Sequence, residues 1–88
     1  MILKKEFHLC IITNQGFLIP MGGTLVDTNR MIDLNEISTF IVKLIRERSY
    51  SEEELIDCIY DEYDSDIETI RRDLKNFTDE GIRLGVLE

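Results

Sequence analysis

The sequence has few of the residues from which catalytic and metal sites are usually built. Its 88 residues include one histidine, two cysteines, one proline and no tryptophan. Cys10 and Cys58 lie far apart and neither belongs to a CxxC pair, so we expect two reduced thiols and no disulfide. No glycine-rich phosphate-binding loop is present, and Gly22-Gly23 is typical of a turn. We therefore predict a protein that is not an enzyme and binds no metal or cofactor.

Basic residues are also scarce, and no apolar run is long. The sequence has 10 Lys and Arg against 18 Asp and Glu, which gives a net charge of −8. Nucleic-acid-binding surfaces are normally basic, so this balance argues against a protein that tracks phosphates. No segment reaches the length of a membrane span, and Lys4-Lys5 is followed by Glu6 rather than by a signal-peptide core. We expect a cytoplasmic protein with no membrane partner.

The first third of the chain has strand and turn patterns. Phe7, Leu9 and Ile11 alternate with His8, Cys10 and Ile12, which predicts a strand with His8 at its surface. Residues 13–16 supply turn chemistry, and residues 17–20 complete a hairpin. Residues 25–28 are a further extended piece, residues 28–30 a tight turn, and residues 31–34 a short strand.

Three helices follow, each with a start signal. Asn35 can cap the first, Ser51 with Glu54 forms a capping box for the second, and Ser65 with Glu68 suggests another for the third. Gly85 is expected to end the third helix in a left-handed conformation. The apolar positions predicted to face inward in the three helices are Ile37, Phe40, Ile41, Leu44 and Ile45; Leu55, Ile56, Ile59, Tyr60 and Tyr63; and Ile67, Ile70, Leu74, Phe77, Gly81 and Leu84.

These elements predict one α+β domain over residues 1–88, in a winged-helix-like arrangement. An N-terminal three-stranded antiparallel sheet would pack on three helices. With only 88 residues, the core leaves little room for a deep substrate cavity as well.

An exposed strand edge is the feature that most favours a binding role. If residues 31–34 lie at the edge of the sheet beside the third helix, their free backbone groups, such as the Ile32 N–H, can accept a peptide as an added strand. Thr78 and Gly81 are small, which would leave room for an inserted side chain. Close backbone packing explains Gly81 equally well.

Two other functions stay open. A winged-helix regulator would use the third helix to bind DNA, but that helix carries more acidic than basic residues and phosphate would repel it. The same strand edge could instead pair with a second copy of the chain and form a homodimer.

The order of motifs resembles the PqqD family. The strand hairpin is followed by Ile32-Asp-Leu-Asn-Glu36, Ser51-Glu-Glu-Glu-Leu55, Arg72-Asp-Leu74 and a terminal Gly85-Val-Leu. The likeness covers nearly the whole chain, from about Phe7 to Glu88. It implies a peptide-recognition element of ribosomally made, modified peptide pathways. The leader of a precursor would dock as an extra strand between the third strand and the third helix.

The resemblance also implies partners and site residues. The partners would be the leader and a modifying enzyme, such as a radical-SAM maturase or the leader protease of a lasso-peptide pathway. Asp73 matches the family's acidic position and would anchor a nearby backbone or a leader group. Residues 22–30 are longer than in the shortest members and would extend the sheet or cover its edge. The expected leader contacts are Arg30, Met31, Ile32, Asp33 and Leu34 on the strand and Arg71, Leu74, Lys75 and Thr78 on the helix.

Overall fold

The sheet begins with a tight hairpin. Strand β1 (Phe7–Ile12) pairs antiparallel with β2 (Gln15–Gly22), and Ile12 faces Gln15 at the closed end. Thr13 and Asn14 form the two-residue turn, with φ of 52° and 66°. Positive φ at both turn positions matches the right-handed twist of the strands. The predicted hairpin is confirmed, and its second strand is longer than expected.

The other side of β2 carries two short strands in succession. The structure, a computed structural model, describes residues 1–22, 25–26 and 31–88. Within them, β3 (Leu25–Val26) pairs with the far end of β2, and β4 (Ile32–Leu34) pairs with Gly16–Leu18, both antiparallel. The part of the predicted extended piece that is described therefore extends the sheet. The predicted turn at residues 28–30 lies outside the described residues.

Three helices complete the chain: α1 (Glu36–Ile45), α2 (Glu52–Tyr63) and α3 (Ile67–Leu84). The predicted caps of the first two are confirmed. The Asn35 side chain accepts the Ser38 N–H at 2.8 Å, and Ser51 and Glu54 exchange hydrogen bonds in a capping box. Gly85, at φ 76°, ends α3 in the left-handed conformation. The sheet followed by three helices confirms the predicted α+β fold.

The cap predicted for α3 is wrong by one residue. Asp66, rather than Ser65, is the N-cap, because its carboxylate accepts both the backbone N–H and the hydroxyl of Thr69 at 2.9 Å. These two hydrogen bonds, that of the backbone first, lower the pKa of Asp66 below its ordinary value. Ser and Asp are about equally good N-caps, so Asp66 is the cap because α3 begins at Ile67 and position 66 directly precedes its first turn.

The core lies between one face of the sheet and the helices. Leu18 from β2 and Ile41, Leu55 and Ile70 from the helices are almost completely buried. Tyr60 was expected to face inward but is 47% exposed. Tyr63 is half-buried and meets Phe40 edge to face, with 5.3 Å between ring centroids.

The two ends of the chain pair with each other and close this core. The Lys4 N–H donates to the Val86 carbonyl, and the Glu88 N–H donates to the Ile2 carbonyl, both at 2.9 Å. Leu87 is buried between them. No described helix is both long enough and apolar enough to cross a membrane.

The cap assignment of α3 predicts unequal effects of two neighbouring substitutions. Asp66→Ala should lower the melting temperature by about 3–8 °C, because two hydrogen bonds at the start of α3 are lost. Ser65→Ala is the matched control and should leave the melting temperature unchanged.

The lowered pKa of Asp66 also predicts a pH dependence. A folded-state pKa below the unfolded value means that the stabilisation by Asp66 is present at neutral pH and lost as the pH falls through that pKa. The difference between wild type and Asp66→Ala should therefore shrink in acid. Equal effects of both substitutions at neutral pH would contradict this cap.

Candidate functional site

A groove of about 520 Å³ separates β4 from α3. The central stripe of α3, Ile70, Leu74 and Phe77, is buried in the core, and the groove lies between the flank of that stripe and β4. The described residues that line the groove are Leu18, Ile32, Asp33, Leu34, Asn35, Ile37, Ser38, Asp73, Asn76, Phe77, Asp79, Glu80, Gly81, Leu84 and Val86.

The floor of the groove is apolar. Leu18 and Val86 are buried there, while Ile32, Ile37 and Leu84 are only partly covered and pack against the core from its edge. Partly covered aliphatic side chains at the bottom of a groove gain free energy when another apolar side chain excludes water from them. The floor is therefore suited to apolar side chains of a ligand.

The rim of the groove is acidic. Four of its described lining residues are carboxylates, Asp33, Asp73, Asp79 and Glu80, and none is Lys, Arg or His. Asp79 accepts a hydrogen bond from Lys75 at 2.6 Å, which raises the pKa of Lys75.

Two of these carboxylates have weak ion pairs or none with basic side chains in the described part of the chain. Glu80 pairs with Arg83, whose hydrogen bond lowers the pKa of Glu80. In contrast, Asp73 has only the adjacent Arg72 at 4.0 Å, and Asp33 forms no ion pair with a described residue. The two walls of the groove therefore each carry an incompletely neutralised acid.

The backbone hydrogen bonds of β2 determine which groups of β4 are free. The Met21 N–H donates to the Glu6 carbonyl at 2.7 Å, on the β1 side. The backbone N–H and C=O groups of successive residues in an antiparallel strand point alternately to its two neighbouring strands, so those of Gln15, Phe17 and Ile19 also point to β1. The N–H and C=O groups of Gly16 and Leu18 point the other way, toward their β4 partners Leu34 and Ile32.

This alternation turns the backbone of Asp33 outward. Because Ile32 and Leu34 use their N–H and C=O groups on β2, those of Asp33 between them point away from the sheet. The outer edge of β4 pairs with no strand among the described residues. An unpaired N–H and C=O beside an apolar groove form a template for an added strand. The Ile32 N–H, which we expected to be free, faces β2 instead.

Comparison with known proteins identifies the family. The family model described as "Coenzyme PQQ synthesis protein D (PqqD)" matches residues 23–87. The chain belongs to the PqqD family.

One solved structure has the same fold over its full length. The structure of TbiB1 in complex with the TbiA(beta) leader peptide superposes with a TM-score of 0.79 and 25% sequence identity. The match covers 100% of this PqqD-family chain and 95% of the other. No curated protein matches the chain.

The strand part of the predicted PqqD-type site lies at the groove. Ile32, Asp33 and Leu34 line it, whereas Met31 is 40% exposed and is not among the lining residues. Arg30 lies outside the described residues.

The helix part lies elsewhere on this PqqD-family domain. Arg71, Leu74, Lys75 and Thr78 line a second depression of about 610 Å³, together with residues that include Met1, Ile82 and Leu87. Successive side chains of a helix point about 100° apart around its axis. Positions 71, 75 and 78 therefore lie on one side of the central stripe of α3, and positions 73, 80 and 84 lie on the other. The structure does not bring the two halves of the predicted site together.

On the helix side of the groove, the sequence analysis singled out Asp73 and Gly81 and missed the other residues. Asp73, Phe77, Glu80 and Leu84 follow one another at spacings of four, three and four residues and share the flank that faces β4. This spacing is visible in the sequence. Nothing in the sequence indicates that Asn76 and Glu80 line a groove, because polar side chains on a long helix are ordinarily solvated. Within the described residues, no cluster of His, Cys, Asp and Glu could hold a metal ion.

The space expected at Gly81 is occupied. A Cβ atom placed on Gly81 would lie 2.6 Å from Cδ1 and 2.8 Å from Cγ of Leu87. The glycine therefore allows the C-terminal segment to pack against α3, as in the second of our two interpretations. Thr78 lines the other depression and donates its hydroxyl to the Leu74 carbonyl at 2.9 Å.

Close packing at Gly81 predicts the sign of a stability change. Gly81→Ala should lower the free energy of unfolding by about 1–3 kcal/mol, because the added methyl overpacks Leu87. In a Leu87→Ala background the clash is absent, and the same substitution should be neutral or stabilise by up to about 1 kcal/mol through helix propensity. Urea unfolding of the four proteins measures both effects. Stabilisation by Gly81→Ala alone would show that the position is open.

Proposed function

We propose that this chain is a non-catalytic adaptor that binds the leader of a ribosomally synthesised precursor peptide. The leader adds a strand to the outer edge of β4 and lies in the groove against α3. The observation that carries the proposal is the combination of an outward-facing backbone at Asp33 with an apolar groove beside it. Family membership and the similarity to TbiB1, a protein whose structure contains a leader peptide, support the choice of ligand.

Strand addition explains how so short a strand can recognise a peptide. The Asp33 N–H and C=O exchange hydrogen bonds with one leader residue, and these main-chain bonds are independent of the leader's sequence. The leader residues on either side of that pair turn their side chains to the face of Ile32 and Leu34, toward the groove floor. Sequence preference then comes from the side chains that meet Phe77 and Leu84 on α3.

The adaptor presents the bound precursor to a modifying enzyme, which we propose is a radical-SAM maturase or a leader protease. The residues of this chain supply binding and orientation, and the partner supplies the chemistry. Holding the leader fixes the distance between the core of the precursor and the partner's active site, which raises the effective concentration of the substrate.

Two other functions have less support. A DNA-binding role requires a helix that phosphate attracts, but each of the four basic residues of α3 forms an ion pair with a carboxylate. The pairs are Arg71 with Glu53, Arg72 with Asp73, Lys75 with Asp79 and Arg83 with Glu80. Self-association would use the same edge of β4 and bury the same groove. It is therefore an alternative outcome of the experiments below rather than a separate site.

Leader binding by strand addition predicts a period-two pattern of backbone dependence. Fluorescence anisotropy would measure the affinity of a labelled leader peptide from a precursor encoded beside the gene for this protein, with a scrambled peptide as control. The same leader would then be N-methylated at one amide at a time. Amides that face β4 should lose about tenfold or more in affinity, since a donor and the space beside the strand are both lost, while alternate amides should change little.

The possible results separate the alternatives. Binding of the true leader without any alternation would contradict strand addition and retain leader recognition. No binding to a folded protein that elutes as a dimer would instead favour self-association at β4.

A pair of neighbouring residues on α3 tests which flank contacts the leader. Asn76 and Lys75 are both exposed, but Asn76 lines the groove and Lys75 lines the second depression. Asn76→Trp should fill the groove and weaken leader binding about tenfold or more, whereas Lys75→Trp should have little effect. Affinities measured by anisotropy decide between them, and circular dichroism checks that both variants fold. The reverse result would favour the predicted contacts at Arg71, Leu74, Lys75 and Thr78.

A further inference from the structure

The groove differs in charge from the second depression on the same helix. The second depression contains Arg71 and Lys75 as well as acidic residues, so its charge is mixed. The groove has four carboxylates and no basic side chain among its described lining residues. A ligand of the groove therefore meets charge of one sign.

The carboxylate of Asp33 lies on a defined face of the sheet. Side chains alternate along β4, so Asp33 projects from the sheet face opposite to Ile32 and Leu34, and it is exposed. A strand added at the outer edge places one residue directly opposite Asp33, and its side chain lies on the same face as the carboxylate. Its two neighbours point the other way, into the apolar floor.

On the α3 side of the groove, the least neutralised carboxylate is that of Asp73. Asp73 is half-buried, and its only ion pair with a described residue is the 4.0 Å contact to Arg72. A peptide added to β4 lies between these two acids: Asp33 is beside the residue opposite it on the outer face of the sheet, and Asp73 is across the groove. A negative charge on the peptide would be repelled by both carboxylates, and a positive charge opposite Asp33 would be attracted most strongly by Asp33.

We infer that the bound leader carries a lysine or arginine opposite Asp33, with an apolar residue on each side that enters the groove. The inference rests on the proposed function, because it specifies the chemistry of the same ligand. The apolar residues supply contact with the floor, and the cation selects the register. A shift of the leader by one residue would expose its apolar side chains and bring its charge into the groove.

Charge-neutralising variants test the inference. Asp33→Asn and Asp73→Asn retain size and polarity, and Asp61→Asn makes the same charge change at an exposed site on α2 outside the groove. Anisotropy titrations with the labelled leader should show about two- to fivefold weaker binding for Asp33→Asn and a smaller loss for Asp73→Asn. Asp61→Asn should match wild type. The loss should diminish at high salt, because salt screens exposed charges.

Changes to the peptide locate the partner charge. Each Lys and Arg of the leader would be replaced in turn by Gln, and each peptide titrated against wild type and Asp33→Asn. One replacement should weaken binding to wild type and have little further effect on Asp33→Asn, as expected for two groups that interact directly. Equal effects on both proteins, or a leader without Lys or Arg that binds normally, would overturn the inference. Failure of wild type to bind the leader at all would instead overturn the proposed function, so the two failures are distinguishable.

Discussion

The alternating direction of backbone hydrogen bonds along β2 is the constraint on which the site depends. One set of β2 residues serves β1, and the intervening set serves β4. Once the hairpin closes at Ile12 and Gln15, the β2 backbone groups that point toward β4 are fixed. The register that pairs Gly16 with Leu34 then makes Ile32 and Leu34 face β2 and Asp33 face outward. A shift of one residue in β4 would reverse these roles and turn Leu34 out of the core. The burial of Leu34 therefore also fixes which backbone groups are free to bind.

The helix wall of the groove depends on a second constraint, the close contact between Gly81 and Leu87. Leu87, in the paired ends of the chain, occupies the space that a side chain at Gly81 would take. Gly81 belongs to the buried stripe of α3, so this contact helps to hold the stripe in the core, and the flank with Asp73, Glu80 and Leu84 faces β4. The groove exists because the core and the chain ends, rather than β4, determine the position of α3.

Sequence reasoning predicted what local chemistry controls. The hairpin turn, the caps at Asn35 and Ser51, the left-handed Gly85 and most positions of the apolar stripes depend on a few neighbouring residues, and the structure has them. Tyr60 and Ile67, which were predicted to face inward, are exposed. The third cap was wrong because Ser65 and Asp66 are both good capping residues. Their competition depends on where the preceding loop places the first turn, which a local motif does not encode.

The site was harder to predict because it depends on contacts between distant parts of the chain. Periodicity separated the faces of α3, but it gave no information on which flank would lie over β4. The predicted strand contacts line the groove at Ile32, Asp33 and Leu34, whereas the contacts assigned to Arg71 and Lys75 fall on the other flank. Gly81 could be interpreted in two ways until Leu87, a residue from the end of the chain, was seen beside it.

An exposed strand edge invites pairing with any extended chain, so a protein that uses one for binding must limit it. This domain limits it in three ways. The edge strand β4 has only three residues, α3 restricts the approach to one side, and Asp33 places a charge where an identical β4 would bring another. Two copies that paired edge to edge through Asp33 would set like charges against each other, which disfavours the homodimer that we considered from the sequence. The charge of Asp33 that disfavours pairing of two copies is the same charge that, in the proposed mode of binding, selects a ligand of opposite charge, so protection of the edge and recognition of the proposed peptide would have the same physical origin.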